Sequence, residues 1–215
     1  MYTPPQFREE RPEVLLQALR DIQFAALITA TEEGYQASHI PMVVKMEGDA
    51  IVFEGHVARP NTHWKLLDRP RSSLAIFQGP QAYVSPSWYE TKRQHGKVVP
   101  TWNYIAVHAH GELEAIEDRE WLLNHLSDLT QANENQRENP WAVSDAPADY
   151  IGNLARAIVG LRFAVERLEG SWKLIQHRSE GDRTGTIAGL AASARPGDQA
   201  VAAAMAALEE RTVRG

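Results

Sequence analysis

The chain has 215 residues, of which 43% are hydrophobic and 23% charged, a balance typical of a globular protein with a substantial core. Its 22 basic and 28 acidic residues give a formal net charge of -6, which opposes general attraction to a phosphate backbone. It contains no cysteine, which excludes disulfides, thiolate catalysis and cysteine-based zinc sites and fits a cytoplasmic protein.

The N-terminal residues 1–10 lack a basic stretch followed by an apolar one, so we expect no signal peptide. No apolar run approaches the roughly 18 residues that a membrane-spanning helix needs, so we expect no membrane partner.

The first half of the chain predicts one helix followed by short strands. Pro12 and apolar residues at helical spacing predict a helix that ends by residues 21–23. Pro41 marks its strand as an edge strand or a bulge, and Asn61 predicts the N-cap of a short helix over residues 62–67. The predicted strands cover residues 24–30, 36–45, 50–54, 73–77 and 82–85, the last two separated by Gly79-Pro80.

The second half predicts longer elements. The polar residues 91–98 predict a mobile loop, and residues 101–116 predict a long strand or a pair of strands. Asp118 predicts the cap of a helix with an apolar face of Leu122, Leu126 and Leu129, followed by a surface loop over residues 131–139. The remaining predicted elements are a helix over 148–157, a hairpin of strands 158–168 and 172–176 around Glu169-Gly170, a short helix that starts at Ser179, and an alanine-rich helix capped by Asp198.

The arrangement of these elements indicates the fold class. Connections between strands are short, which favours antiparallel pairing, and no strand–helix–strand alternation appears. The sequence therefore predicts an α+β, mainly β fold, built as a small antiparallel barrel with peripheral helices.

Residues 55–64 join a predicted strand to a capped helix and form a candidate anion site. A helix N-terminus offers unpaired N–H groups, the planar fork of Arg59 suits phosphate, and Asn61 and the neighbouring histidines add donors. The alternative is that Arg59 pairs with a carboxylate and the helix only connects two strands. The chain has no G-x-G-x-x-G or Walker motif to support a dinucleotide or nucleoside triphosphate site.

Aromatic, hydroxyl and amide side chains concentrate in residues 82–89 and 99–104. They suit a planar ligand such as an isoalloxazine ring, with plain core packing as the alternative. Alternation along the strand places Asn103 on a core-like face, and it places Trp102 on the opposite face, which indicates an interface or a pocket wall.

The same strand also carries a candidate metal site. His108, His110 and Glu112 share one face at a spacing that permits metal ligation, and a polar strand face is the alternative. No second histidine–carboxylate cluster supports a metal, so none is assigned.

Seven short motifs follow one another along about residues 1–190: Met1-Tyr2-x-Pro4-x-x-Phe7, Ser38-His39-Ile40-Pro41, Gly55-His56-x-Ala58-Arg59-x-Asn61-x-x-Trp64, Gly79-Pro80-x-Ala82-Tyr83-Val84-Ser85-Pro86-Ser87-Trp88-Tyr89, Val99-Pro100-Thr101-Trp102-Asn103-Tyr104, Lys173-Leu174-x-Gln176-x-Arg178 and Asp182-Arg183. Taken together, these motifs resemble the PaiB-type FMN-binding proteins, which are often described as negative transcriptional regulators. His177 departs from the family, where asparagine is expected more often.

The resemblance implies a split antiparallel β-barrel over residues 1–190, related to pyridoxamine-phosphate-oxidase-type flavoproteins. Residues 191–215 lie outside the resemblance, and their alanine-rich pattern predicts a C-terminal helical extension. It implies a homodimer with FMN at or near the subunit interface. The implied FMN-binding residues are Ser38, His39, Ile40 and Pro41 beside the ring, His56, Arg59 and Asn61 near the phosphate or ribityl chain, Trp102 and Asn103 in the ring region, and Gln176 and Arg178 from the closing strand.

Three functions stay open at this point. The first is an FMN-dependent oxidoreductase with a small-molecule redox substrate or electron donor, in which His39, His56 or Tyr83 could donate a proton. The second is an FMN-responsive regulator, although no helix-turn-helix is evident and the acidic charge argues against direct nucleic-acid binding. The third is a haem-handling relative, which His108 and His110 keep open. A barrel whose ancestral flavin pocket is now empty is the plain alternative.

Overall fold

The computed structural model describes residues 1–214, with side chains for residues 1–210. Within this range eight strands form one antiparallel sheet, accompanied by six α-helices and short 3₁₀ turns, which confirms the predicted fold class. No helix within the described range is both long enough and apolar enough to cross a membrane. The strands are β1 (Arg8–Glu9), β2 (Phe24–Thr31), β3 (Gly34–Pro41), β4 (Val43–Glu47), β5 (Ala50–Ala58), β6 (Arg71–Val84), β7 (Thr101–Ile116) and β8 (Ile158–Lys173), and the helices are α1 (Pro12–Ile22), α2 (Thr91–His95), α3 (Arg119–Glu134), α4 (Ala148–Ala155), α5 (Glu180–Ala191) and α6 (Pro196–Arg214).

The strand order is β3-β2-β6-β7-β8-β5-β4, with β1 paired to β8. Consecutive strands β3 and β4 therefore lie at opposite ends of the order, and the prediction of one strand over residues 36–45 is wrong. The chain leaves β3 at Pro41, which has no N–H to donate, and the N–H of Met42 bonds instead to the carbonyl of Gln23 at 2.9 Å. The interpretation of Pro41 as an edge-strand residue is confirmed.

Strand β6 is continuous, so the prediction of two strands separated by Gly79-Pro80 is wrong. Strand β2 pairs with β6 only from Ser73 to Phe77. Pro80 lies beyond that pairing, and its missing N–H costs no hydrogen bond to β2.

Strand β8 is also continuous, and the predicted hairpin around Glu169-Gly170 is wrong. Gly170 faces Glu9 of β1, and a Cβ built at Gly170 would lie 2.7 Å from the Glu9 carbonyl oxygen and 2.5 Å from a Leu15 methyl carbon. This glycine serves a close approach between backbones rather than a turn.

Two predicted loops are helical. Within the predicted loop of residues 91–98 lies α2, closed by Gly96 at φ +68°, because the backbone N–H of Thr91 is held by Asp182 at 3.0 Å. Helix α3 continues to Glu134, four residues into the predicted loop. Its Asp118 cap is confirmed by the Trp121 N–H bond at 2.8 Å.

The chain divides into two compact units. The first unit contains Met1–Leu15, Gln78–Val107 and Glu169–Gly215, and the second contains Leu16–Phe77 and His108–Leu168. In the first unit, α5 and α6 are joined by a two-bond ion pair between Arg183 and Glu209 at 2.6 and 2.9 Å. The core of the first unit contains Ala82, Val84, Tyr89, Ile105, Leu174, Ile175, Leu190, Val201, Ala202 and Met205.

Helix α6 begins at Pro196, so Asp198 lies in its first turn rather than at the cap, and its carboxylate accepts a bond from the Ser193 hydroxyl at 2.7 Å. In the second unit, α3 packs with Leu122 and His125 buried. Leu126 and Leu129, predicted on the same face as Leu122, are half-buried.

Candidate functional site

Ser38 and Asn61, two predicted cofactor residues, contact each other in the second unit. The Asn61 side-chain amide donates to the Ser38 hydroxyl at 3.0 Å, and the amide oxygen of Asn61 accepts the N–H of His63 at 2.9 Å. The second bond confirms the predicted N-cap, although the helix is a 3₁₀ turn over Thr62–Leu66.

His63 connects this pair to the sheet. It is fully buried, and its two ring nitrogens lie 3.0 Å from the Ser38 hydroxyl and 2.9 Å from the Thr29 hydroxyl. The Thr29 hydroxyl is in turn 2.7 Å from that of Ser73. Burial lowers the pKa of His63, which favours a neutral ring that donates at one nitrogen and accepts at the other. We call these five residues, Thr29, Ser38, Asn61, His63 and Ser73, the hydroxyl–histidine network.

The segment from Ser38 to Pro41 alternates as an edge strand should. Ser38 and Ile40 are buried, whereas His39 is exposed and Pro41 is half-exposed. The ring of His39 stacks on Phe24, itself 56% exposed, with 6.3 Å between centroids. Of the four residues predicted beside the ring, His39 is therefore the one whose side chain faces outward most fully.

Arg59 adopts the arrangement that sequence analysis kept as the alternative. Its guanidinium donates to the Glu117 carboxylate at 2.6 Å and to the carbonyl oxygens of Arg156 and Ile158 at 3.0 and 3.2 Å. The group lies 5.6 Å from the centre of the Trp64 ring, and the side chain is 39% exposed. Arg59 thus carries a cation that is held by the protein yet reachable from solvent.

His56 lies beneath helix α3. Its Nδ1 is 2.9 Å from Nε2 of His125, whose ring stacks on Trp121 at 5.4 Å between centroids. His125 is 1% exposed, and burial with the nearby His56 lowers its pKa from 6.5 to about 4. The other nitrogen of His125 has no hydrogen-bond partner among the residues that the structure describes, and it lies 4.0 Å from the Glu54 carboxylate. The predicted phosphate residue His56 is therefore half of a histidine pair that is neutral near pH 7.

The first unit carries a cluster that we call the aromatic surface, made of Tyr83, Trp102, Tyr104 and Lys173. Tyr83 and Trp102 are 43% and 45% exposed, with their rings edge to face at 6.2 Å. The indole N–H of Trp102 donates to the side-chain oxygen of Gln81 at 3.0 Å, which fixes the indole. Such a wall of oriented rings suits a flat ligand.

Asn103 points the other way. It is fully buried, and its side-chain nitrogen lies 3.4 Å from the sulfur of Met205. Its amide oxygen has no hydrogen-bond partner in the described part of the chain. The predicted alternation of β7 is confirmed, and it separates Asn103 from Trp102 although both were predicted to meet the ring.

Gln176 and Arg178, expected from the last strand, lie in the turn that follows β8, which ends at Lys173. The Gln176 amide donates to the carbonyls of Gln6 and Trp172 at 2.9 and 2.7 Å, which secures a turn in which Ile175 has φ +54°. Arg178 lies 4.2 Å from the centre of the Tyr89 ring and pairs with Asp182 at 3.3 Å. Both side chains are engaged in local structure.

Some functional candidates escaped sequence reasoning. His63 was read only as one of several donors, and His125 was not considered, although Trp121 stands four residues before it on the same helix face. Lys173 belonged to a family motif without a role. A groove of about 790 Å³ in the first unit was also missed; its lining residues are Trp88, Glu90, Arg93, Gln94, Glu180, Gly181, Thr184 and Gly185.

Each unit by itself offers side chains that suit part of a flavin nucleotide. In the second unit the exposed guanidinium of Arg59 and the amide of Asn61 are donors for a phosphate or a ribityl hydroxyl. In the first unit the aromatic surface offers flat apolar walls beside a cation.

Comparison with known proteins agrees with that fit. The family described as "Putative FMN-binding domain" matches residues 1–167. The protease synthase and sporulation protein PAI 2 of Bacillus subtilis is 31% identical over 95% of this chain and 96% of its own length. An uncharacterized protein of Aspergillus fumigatus is 34% identical over 88% of this chain and 90% of its own length.

Among solved structures, the FAD and haem binding protein of Mycobacterium smegmatis superposes with a TM-score of 0.53 and 14% identity, covering 77% of this chain and 73% of that one. At this identity the likeness concerns the fold, which is the split β-barrel. The chain therefore belongs to the PaiB-type family of FMN-binding split-barrel proteins, and FMN is its cofactor.

Proposed function

We propose that the protein is an FMN-dependent oxidoreductase that exchanges electrons with a small-molecule substrate or donor. The observation that carries this proposal is the aromatic surface, where Tyr83 and Trp102 stay exposed at 43% and 45% although they lie on strands with a buried opposite face. Exposed, oriented rings favour a ligand surface over core packing. FMN supplies the redox chemistry when bound, and the protein supplies binding and charge.

For the second unit by itself, we propose that Arg59 and Asn61 bind a phosphate or ribityl group, with Ser38 as the residue that orients Asn61. Two observations support this assignment. The Arg59 guanidinium is reachable from solvent, and the Ser38 hydroxyl fixes the Asn61 amide at 3.0 Å. His39, exposed beside Phe24, is the proposed proton donor because the rings of His56 and His63 are both occupied by protein partners.

We further propose that the chain forms a homodimer through the outer face of β3, β2 and β6. The register places three mostly apolar rows on this face, and it carries no charged side chain. The inner face of the same strands is buried, and its polar residues Thr29, Ser38 and Ser73 are hydrogen-bonded there, so the exposed apolar side chains lie on the outer face. A self-complementary face of this kind suits a two-fold interface. Its residues are Phe24, Ala26, Ile28, Ala30, Tyr35, Ala37, His39, Pro41, Ser72, Leu74 and Ile76.

Anaerobic reduction tests the oxidoreductase proposal. The chain is loaded with FMN, freed of excess by dialysis and mixed with NADH or NADPH under argon. We expect loss of the visible flavin absorbance with one donor and its return on adding air. No reduction by either donor or by a reduced ferredoxin would overturn the proposal, and a salt-dependent, sequence-specific gel shift would favour the regulator instead.

Analytical ultracentrifugation tests the dimer. Ile28→Lys places a charge at the centre of the proposed face, and we expect it to yield a monomer where the unmodified chain sediments as a dimer. Tyr150→Lys, at a residue that is 56% exposed elsewhere in the second unit, is the matched control and should leave the dimer intact. A monomeric unmodified chain would contradict the assignment.

A further inference from the structure

At the edge of the aromatic surface, Lys173 carries a positive charge that no charged acceptor among the described side chains neutralises. Its ammonium donates to the Thr101 hydroxyl at 2.7 Å and to the Trp102 carbonyl at 2.5 Å. Both acceptors are neutral oxygens, so they orient the cation without neutralising it.

The other described groups around Lys173 also leave its positive charge without a negative partner. The ammonium lies 6.0 Å from the centre of the Tyr104 ring, whose electron-rich face attracts a cation weakly. Burial lowers the pKa of Lys173, the direction expected where desolvation outweighs any nearby negative charge. An anionic ligand at this position would restore the missing partner.

The position of the Lys173 ammonium relative to the rings limits the class of ligand that could bind both. Lys173 is held through the backbone of Trp102, the same residue whose indole is fixed by Gln81. Cation and indole are thus set in one rigid arrangement on β7 and β8. A ligand that meets both is flat, aromatic and negatively charged at its edge.

We propose that Lys173 is a tuning residue that favours the reduced form of FMN by stabilising its negative charge. The inference rests on the proposed placement of the flavin at the aromatic surface. Two electrons and one proton convert the neutral ring of FMN into an anion, with the charge shared by N1 and the neighbouring carbonyl oxygen. The Lys173 ammonium would bind that anion more strongly than the neutral ring.

The test compares the affinities of the two redox forms. Binding of oxidised FMN, and of FMN reduced with dithionite under argon, is measured by titration calorimetry on the full chain. Lys173→Gln keeps a hydrogen-bond donor and removes the charge. We expect it to weaken binding of reduced FMN about tenfold more than binding of oxidised FMN, the size expected for one partly screened charge pair.

Three further variants complete the design. Lys173→Arg keeps the charge and should retain the unmodified ratio of the two affinities. Lys173→Met also removes the charge, and it serves as a second variant if glutamine disturbs the end of β8. Lys92→Gln, at an exposed lysine of α2 whose ammonium bonds to the Ser87 hydroxyl at 3.2 Å, is the matched control and should not change the ratio.

The outcomes separate this inference from the proposed function. An unchanged ratio in Lys173→Gln and Lys173→Met, with oxidised FMN still bound, overturns the inference and leaves the proposed function standing. Failure of the unmodified chain to bind FMN overturns both. A changed ratio that arginine restores supports the inference.

Discussion

In the second unit, Ser38 and His63 are 5% and 0% exposed and bonded to each other, whereas in the first unit Tyr83 and Trp102 are 43% and 45% exposed. The two regions therefore hold their candidate ligand groups by different means. The hydroxyl–histidine network is fixed by its own hydrogen bonds, so each member also contributes to stability. The aromatic surface is fixed at its base and open at its rings, so its side chains can be altered at little cost to the fold.

The largest expected effect is on the network. His63→Ala should lower the free energy of unfolding by about 3 kcal/mol, because it leaves a cavity and removes partners from the buried hydroxyls of Ser38 and Thr29. Urea denaturation measures it. His95→Ala, at an exposed histidine of α2, is the control and should change stability by less than about 0.5 kcal/mol. Equal effects in the two variants would mean that the network does not contribute to stability.

The next largest effect is a loss of stability in acid, caused by the buried His125 of α3. The pKa of His125 is lowered from 6.5 to about 4 in the folded chain, so the unfolded chain takes up a proton first as the pH falls. The contribution of His125 to stability should be constant above about pH 7 and should decline between about pH 6.5 and 4, by up to about 3 kcal/mol.

Urea midpoints at several pH values measure this decline. In the same pH interval, His125→Gln should make the free energy of unfolding less dependent on pH, by an amount that corresponds to the uptake of about one proton on unfolding. A slope that is identical in the variant would show that other groups control the acid response. His56 and His63, whose pKa values are also lowered by burial, contribute in the same direction and remain in the variant.

An intermediate effect is expected on the first unit. Trp102→Ala should weaken FMN binding about tenfold while the free energy of unfolding changes by less than about 0.5 kcal/mol. Flavin fluorescence titration and urea denaturation give the two values. Trp141, also 45% exposed but in the second unit, supplies the control, since Trp141→Ala should leave the affinity unchanged. Equal losses of affinity in the two variants would show that Trp102 has no particular role in binding FMN.

The smallest effect concerns Arg59. Glu117→Gln removes the carboxylate that holds its guanidinium at 2.6 Å and should strengthen FMN binding about two- to threefold, as expected for an exposed ion pair. Riboflavin, which lacks the phosphate, should bind this variant and the unmodified chain equally. Weaker FMN binding in Glu117→Gln would instead assign the carboxylate a supporting role.

Local signals in the sequence predicted much of the fold. Pro12, Asn61 and Asp118 each began a helix or turn where predicted, because capping chemistry acts within one turn of the backbone. Alternation along β7 predicted which face is buried. The family motifs predicted FMN because they are specific in combination, although each motif alone is weak evidence.

Other features depended on residues far apart in the chain. Gly79-Pro80 and Glu169-Gly170 are turn dipeptides by local chemistry, yet both lie within strands, since β2 stops pairing at Phe77 and β1 needs the close approach at Gly170. The sequence by itself determined the capped helices, the buried strand faces and the cofactor family. Only the tertiary structure decided that Ser38 meets His63, that His56 meets His125, and that Lys173 stands uncompensated beside Trp102, because these contacts join residues from 25 to 71 positions apart.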